Sequence, residues 1–344
     1  MKTILLIDDS KFIRAVLKRM LSSVAEYKIL GEASNGIEGF NSIKDLHPDI
    51  VILDVHMPIM SGLELLRELK KEPQRPRILL FSAHTKQHAQ LTIECLLEGA
   101  DDYICKPTND PTLQTLRDEL LAKLEQLHPY PIFSRYSPPI TISNNILSPH
   151  VIGIAASTGG PDTIKNILCR IKPSNTIPIL IVQHMPPLFT LRFAETLRRQ
   201  TEHRIKEAKQ HEKILPGDII IARGGKHLIL EKKGTHLYYR SISSPAIKGL
   251  RPSADILFQS LADQLGAKTL AFVLTGMGND GLDGAKSIHH KGGEIIVQNK
   301  ESSTVWGMPR AISESSIPAR ELSPKEIADT INHLTCSDGK NDEH

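Results

Sequence analysis

The sequence predicts an α/β protein built from two doubly wound parallel-sheet domains. Three observations carry that expectation. Apolar runs of strand length alternate with amphipathic stretches of helical spacing over the first 125 residues, the alternation resumes after residue 150, and the segment between is rich in proline, serine and asparagine. In the first half the strands read "ILLI", "KILGEA", "DIVILD", "RILLFS" and "DDYICK", and helical segments such as "KFIRAVLKRMLSSV" and "PTLQTLRDELLAKLEQL" separate or follow them. Five β and five α units of this kind imply one parallel sheet. "HPYPIFSRYSPPITISNNILSPH" has no clear period and reads as a linker, so the expected boundaries are 1–125, a linker 126–149, a second domain 150–335 and a polar tail 336–344. In the second half "VIGIAA", "IPILIVQ", "DIIIA", "LAFVLT" and "EIIVQN" continue the pattern. "DIIIARGGKHLILEKKGTHLYYR" reads instead as an antiparallel meander, which makes this a three-layer α/β domain with a β-hairpin insertion.

Composition narrows the class. Of 344 residues 40% are hydrophobic and 24% charged, the range of a folded soluble protein with two full cores. The 42 basic and 39 acidic side chains are scattered, so no cationic stripe for nucleic acid is expected. No apolar run approaches a membrane span, and "MKTILLIDDSK" meets two aspartates too early for a signal peptide; no membrane insertion is expected. Cys95, Cys105, Cys169 and Cys336 show no C-x-x-C spacing, which fits free thiols in a reducing cytoplasm.

Strand ends of the first domain gather charge. Asp8 and Asp9 close the first strand, Asp54 closes "DIVILD", Ser82 closes "RILLFS" and Lys106 follows "DDYIC". Parallel strands put all five on one sheet edge, where three carboxylates repel one another unless a hard cation such as Mg²⁺ sits among them. A lysine and a hydroxyl beside that cation suit a transferred phosphoryl group. "LLIDDS", "DIVILDVHMPIMSGLELL", "LLFSAHT" and "GADDYICKP" resemble the receiver domain of bacterial response regulators, a flavodoxin-like fold, over roughly residues 1–125. The resemblance implies that Asp54 accepts the phosphoryl group from a histidine kinase. It also implies that Asp8, Asp9, Asp54 and the backbone carbonyl of His56 hold Mg²⁺, that Ser82 and Lys106 contact the phosphoryl group, and that Tyr103 turns inward as Ser82 moves. The Lys106–Pro107 bond is a candidate cis peptide.

In the second domain "VIGIAASTGGP" runs an apolar strand into Ser157 and a glycine turn. A hydroxyl at the carboxyl end of a parallel strand is a nucleophile, a phosphate ligand or a helix cap. "IPILIVQHMPP" leaves His184 at another strand end as a candidate base, and "TLAFVLTGMGNDG" carries Asp280, a candidate carboxylate to orient it. "GMGNDG" also satisfies G-x-G-x-x-G, but the acidic residue a dinucleotide fold needs at the end of the next strand is missing: Glu294 stands at that strand's start.

"GIAASTGGP", "VQHMPPLFT", "PGDIIIARGGKHL", "RPSADILFQSLA", "LTGMGNDGLDGA" and "STVWGMPRAI" are similar to the catalytic domain of chemotaxis protein-glutamate methylesterases, over roughly residues 150–333. The resemblance implies Ser157 as nucleophile, His184 as general base and Asp280 as its partner, with backbone N–H groups near Thr158 and Met277 forming an oxyanion hole. It implies hydrolysis of glutamate γ-methyl esters on chemoreceptors and deamidation of receptor glutamines, with no cofactor in this domain. The alternative is a receiver-controlled partner-binding protein whose output domain is not catalytic. A DNA-binding output is disfavoured by a second domain too large, too strand-rich and too evenly charged for a helix-turn-helix module.

Overall fold

The computed structural model describes residues 1–83, 85–106, 113–127 and 149–336. The linker at 128–148, the residues after 336 and the Lys106–Pro107 bond therefore lie outside the described residues. The chain separates into two compact units, Met1–Phe133 and Ser134–His344.

The first unit alternates strictly: β1 (Lys2–Ile7), α1 (Lys11–Leu21), β2 (Tyr27–Ala33), α2 (Gly36–Leu46), β3 (Ile50–Asp54), α3 (Gly62–Leu69), β4 (Arg77–Ala83), α4 (Lys86–Leu97), β5 (Asp102–Lys106) and α5 (Leu113–Gln126). Its strands are all parallel, in the order β2-β1-β3-β4-β5. β3 is buried along its whole length, as a central strand covered on both faces requires. Ile4, Leu6, Ile50, Ile52, Leu79, Phe81 and Ile104 pack on one face with Leu17 and Leu21 of α1 and Leu116, Leu120 and Leu124 of α5. Local signals set the helix starts: Ser10 accepts from the amide of Ile13, and Ser61 with Glu64 forms a reciprocal capping box.

One buried ion pair ties β4 to the loop before β5. Arg77 Nη1 meets Asp101 Oδ1 at 2.8 Å, and Asp101 Oδ2 accepts the Ile78 amide at 2.7 Å. Asp101→Ala strips a buried guanidinium of this carboxylate and is expected to lower the unfolding free energy by about 3 kcal/mol, read by denaturant titration. A change under half that size would show that Arg77 is satisfied without it.

The second unit holds β6 (Val151–Ala156), α6 (Gly160–Leu168), β7 (Ile179–Gln183), α7 (Phe189–Gln200), β8 (Arg204–Glu207), β9 (His211–Lys213), β10 (Asp218–Ile221), β11 (His227–Lys233) and β12 (His236–Ile242). It continues with α8 (Ala254–Leu265), β13 (Thr269–Val273), α9 (Leu282–His290), β14 (Glu294–Gln298), α10 (Gly307–Ser313), β15 (Arg320–Leu322) and α11 (Pro324–Cys336). Seven strands form a parallel sheet in the order β15-β14-β13-β6-β7-β10-β8, and β11-β12-β9 form a separate antiparallel sheet. The expected meander is thus corrected at its start. "DIII" is β10 of the parallel sheet, because its four residues are all buried, whereas the hairpin β11–β12 pairs with β9. Gly153 lets α8 close on β6: a Cβ there would stand 2.7 Å from Leu261 Cδ1 and 3.0 Å from Phe258 Cε1. That approach brings the first turn of α8 towards the sheet end where the site lies.

Candidate functional site

In each parallel sheet successive strands depart to opposite sides of the first strand, and ligands of open α/β sheets bind at such a crevice, beyond the carboxyl ends of the strands. In the first unit the crevice falls between β1 and β3, and Asp8 and Asp9 follow β1 while Asp54 ends β3. One carboxylate oxygen from each of the three lies within 4.8 Å of the others. Lys106 Nζ bridges Asp8 Oδ2 at 2.9 Å and Asp54 Oδ2 at 2.8 Å. Asp8 and Asp54 are buried, with this one ammonium between them. An all-oxygen donor set of three carboxylates, balanced by a single lysine, fits a hard divalent cation such as Mg²⁺. Burial pushes the Asp54 carboxyl above its ordinary value, with Lys106 pulling the other way. Burial works to lower Lys106, yet Asp54 and Asp8 outweigh it and raise the ammonium above the ordinary lysine value.

The other receiver positions fall around this cluster. The His56 amide donates to Asp54 Oδ1 at 3.4 Å, while its side chain is exposed. Ser82 is fully buried and accepts from Thr92 Oγ1 of α4 at 2.7 Å. The Tyr103 ring is buried, with Lys123 Nζ 5.3 Å from its centroid.

In the second unit the strand order reverses between β13 and β6. Ser157 follows β6 directly, and Gly159 turns the chain into α6 with φ of 75°, a conformation that glycine adopts without cost. A side chain at Gly159 would also strike Thr304 Oγ1 at 2.4 Å. The Ser157 amide donates to the Thr275 carbonyl at 3.0 Å, and its carbonyl accepts from Gly160 N at 2.8 Å and Gln183 Nε2 at 2.9 Å. The elbow is therefore held from β7 and from the loop after β13. The ladder between β6 and β7 extends one residue further, His184 N to Ala156 O at 3.1 Å, which puts His184 beside the residue preceding Ser157.

His184 Nε2 meets Asp280 Oδ2 at 2.7 Å. Burial acts to raise Asp280, but the hydrogen bond and charge of His184, with the Ala254 amide and the Ser253 hydroxyl, hold its carboxyl down at about 2. An ionised carboxylate only accepts, so Nε2 carries the proton and the imidazole lone pair is on Nδ1. The ring thus presents the opposite edge from the familiar serine-protease arrangement, in which Nδ1–H faces the aspartate. No hydrogen bond joins Ser157 Oγ to His184 among the described residues. Unliganded sites often close that contact only around substrate. The Met277 amide has no hydrogen-bond partner among the described residues, and the Thr158 carbonyl accepts from Thr275 Oγ1 at 2.9 Å.

Sequence reasoning missed Ser253, Thr275 and Gln183, which hold the three strand ends together. Ser253 stands in "RPSADILF" just before an apolar helical run, where a serine reads as an ordinary cap; nothing local shows that its hydroxyl faces Asp280, 27 residues away.

Both units match families of known proteins. The family described as CheB methylesterase matches residues 152–331, and that described as response regulator receiver domain matches residues 4–117. The chain is similar to the protein-glutamate methylesterase/protein-glutamine glutaminase of Trichodesmium erythraeum, 34% identical over 342 residues, covering 95% of this chain and 97% of the relative. A relative of the same printed name, numbered 1, from Myxococcus xanthus is 36% identical over 332 residues, covering 94% and 95%. Among solved structures it is similar to the crystal structure of the Thermotoga maritima CheB methylesterase catalytic domain, at 34% identity and a TM-score of 0.53, covering 55% of this chain and 100% of that one.

Proposed function

The chain belongs to the CheB methylesterase family, carrying a response regulator receiver domain ahead of the hydrolase domain, and we propose that Ser157, His184 and Asp280 are the residues that perform its reaction. It is an adaptation enzyme of chemotaxis that hydrolyses glutamate γ-methyl esters on chemoreceptors and deamidates receptor glutamines. The observation that carries the site reading is the His184–Asp280 pair, 2.7 Å apart, at strand ends that flank Ser157.

The lone pair on His184 Nδ1 takes the proton of Ser157 Oγ as the oxygen attacks the side-chain carbonyl carbon of the substrate. Negative charge develops on the carbonyl oxygen, where the amides of Met277 and Thr158 donate to it. Collapse breaks the bond to the leaving group, which takes the proton from His184 and departs as methanol, or as ammonia from glutamine. Water then attacks the acyl-Ser157 ester with His184 again as base, releasing the free carboxylate and restoring the serine. Asp280 keeps the imidazole oriented and stabilises its cationic form throughout.

In the receiver, a domain that carries a Mg²⁺ site, the cation would be held by Asp8, Asp9, Asp54 and the His56 carbonyl. When bound it neutralises charge on the incoming phosphoryl group. The Asp54 carboxylate accepts that group from a histidine kinase of the chemotaxis type, Lys106 pairs with it, and Ser82 and Tyr103 respond. We assign residues 1–125 to the receiver, 126–149 to the linker, 150–335 to the hydrolase and 336–344 to a tail. We assign the chain to the cytoplasm, where thiols such as Cys95 and Cys169 stay reduced; among the described residues no helix is long and apolar enough to cross a membrane.

Methanol release from methylated receptor, with and without a small phosphodonor, tests the reading. Release that rises with the phosphodonor supports it; a domain that binds receptor without releasing methanol would favour the non-catalytic alternative.

A further inference from the structure

Asp280 is held by more than His184. Its carboxylate also accepts from Ser253 Oγ at 2.7 Å, from the Ala254 amide at 2.6 Å and from the Asp255 amide at 3.2 Å. The two amides belong to the first turn of α8, whose N–H groups have no partner within the helix and favour an anion. Ser253 is the N-cap of α8, a position where a serine hydroxyl ordinarily accepts from an amide of the first turn. Here its side chain caps nothing. Asp280 has taken the capping role, and the serine hydroxyl is turned round to donate to it.

Ser253 is itself held. It is completely buried, and its backbone N–H donates to His227 Nδ1 at 3.2 Å. His227, also buried, opens β11 of the inserted hairpin, and its Nε2 meets the Pro245 carbonyl at 3.0 Å. A carbonyl can only accept, so Nε2 bears the proton and Nδ1 is free to accept from Ser253. A continuous chain of hydrogen bonds thus links the hairpin to the imidazole: Ser253 donates its N–H to His227 and its hydroxyl to Asp280, which also accepts from His184.

We infer that Ser253 is a positioning residue for the hydrolysis, acting through Asp280, and that His227 of the hairpin fixes Ser253 in turn. The inference rests on the assignment of Ser157, His184 and Asp280. Without the hydroxyl the carboxylate keeps its amide partners but loses a donor, so it swings more freely and orients the imidazole less well. That lowers turnover and leaves substrate binding alone, because Ser253 is buried away from substrate.

The test is a double-mutant cycle in the full chain, with methylated receptor as substrate. Ser253→Ala is expected to lower kcat about tenfold with KM within about twofold, the scale of one hydrogen bond to a charged group. In an Asp280→Asn background the same substitution should cost less than about twofold, because the carboxylate through which it acts is gone. In protein labelled with ¹⁵N-histidine, the low-field N–H resonance of the His184–Asp280 pair should shift or broaden in Ser253→Ala. A tenfold loss that recurs undiminished in the Asp280→Asn background, an unmoved resonance, or a wild-type kcat would each overturn the inference. His227→Asn, whose amide oxygen can still accept from Ser253, should retain more kcat than His227→Leu; equal losses would remove the hairpin from the hydrogen-bond chain. Failure of the site reading is told apart by Ser157→Ala: if that variant is inactive while the cycle is additive, the triad stands and only the positioning role falls.

Discussion

Ser157→Ala is expected to reduce methanol release from methylated receptor by roughly 10⁴ to 10⁶-fold, the cost of losing the nucleophile of a serine triad. The fold should be untouched. Ser157 is held by its backbone, through the Thr275 carbonyl, Gly160 and Gln183, and none of these contacts uses the hydroxyl that the substitution removes. Thermal unfolding should therefore coincide with wild type. Asp280→Asn should cost less, by about one to two orders of magnitude, since the carboxylate orients and does not attack. A Ser157→Ala enzyme retaining half its activity would end the assignment. Equal losses in both variants would point to collapse of the site, in which case the unfolding curve would also move.

Asp54→Asn is expected to abolish phosphoryl labelling of the full chain by acetyl phosphate, and excess chelator should do the same to the wild type. The amide has no carboxylate oxygen to form the acyl phosphate, and it removes one of three carboxylates gathered within 4.8 Å. The chelator effect comes from charge. With Asp8 and Asp9 beside it, Lys106 offers one positive charge against three carboxylates and an incoming dianion, and a divalent cation makes up the difference. Labelling that persists in chelator at the wild-type rate would remove the metal from the site, whereas labelling of Asp54→Asn would move the acceptor elsewhere.

Much of this is legible in the residue order because parallel α/β sheets write their topology locally. A buried central strand such as "VIGIAA" or "DIVILD" has to be apolar throughout, and the residue after it has to stand on the ligand-binding edge. Ser157, His184, Asp54 and the Asp8–Asp9 pair are placed by that rule alone. β8 and β15 do not show: "RIKE" and "REL" are short, carry charge and lie at the two edges of the sheet, where one side needs no apolar cover. The pattern joins "DIII" to the wrong sheet for the opposite reason, since four apolar residues say that a strand is buried without saying among which neighbours.

Residue order is enough to specify two parallel-sheet units, the carboxylate cluster of the first and the serine, histidine and aspartate of the second, because each depends on the few residues immediately after a strand. How those groups are held is a matter of tertiary contact. That Asp280 caps α8 depends on contacts spanning 25 to 27 residues, and that His184 turns Nε2 towards it on a contact spanning 96. The hydrogen-bond chain includes His227 because Gly153 lets α8 lie close on β6 and because the hairpin packs beside the start of that helix. Hydrogen-bond direction and ring orientation are settled by which donors and acceptors meet after the chain has closed, and no local pattern of apolar and polar residues encodes that meeting.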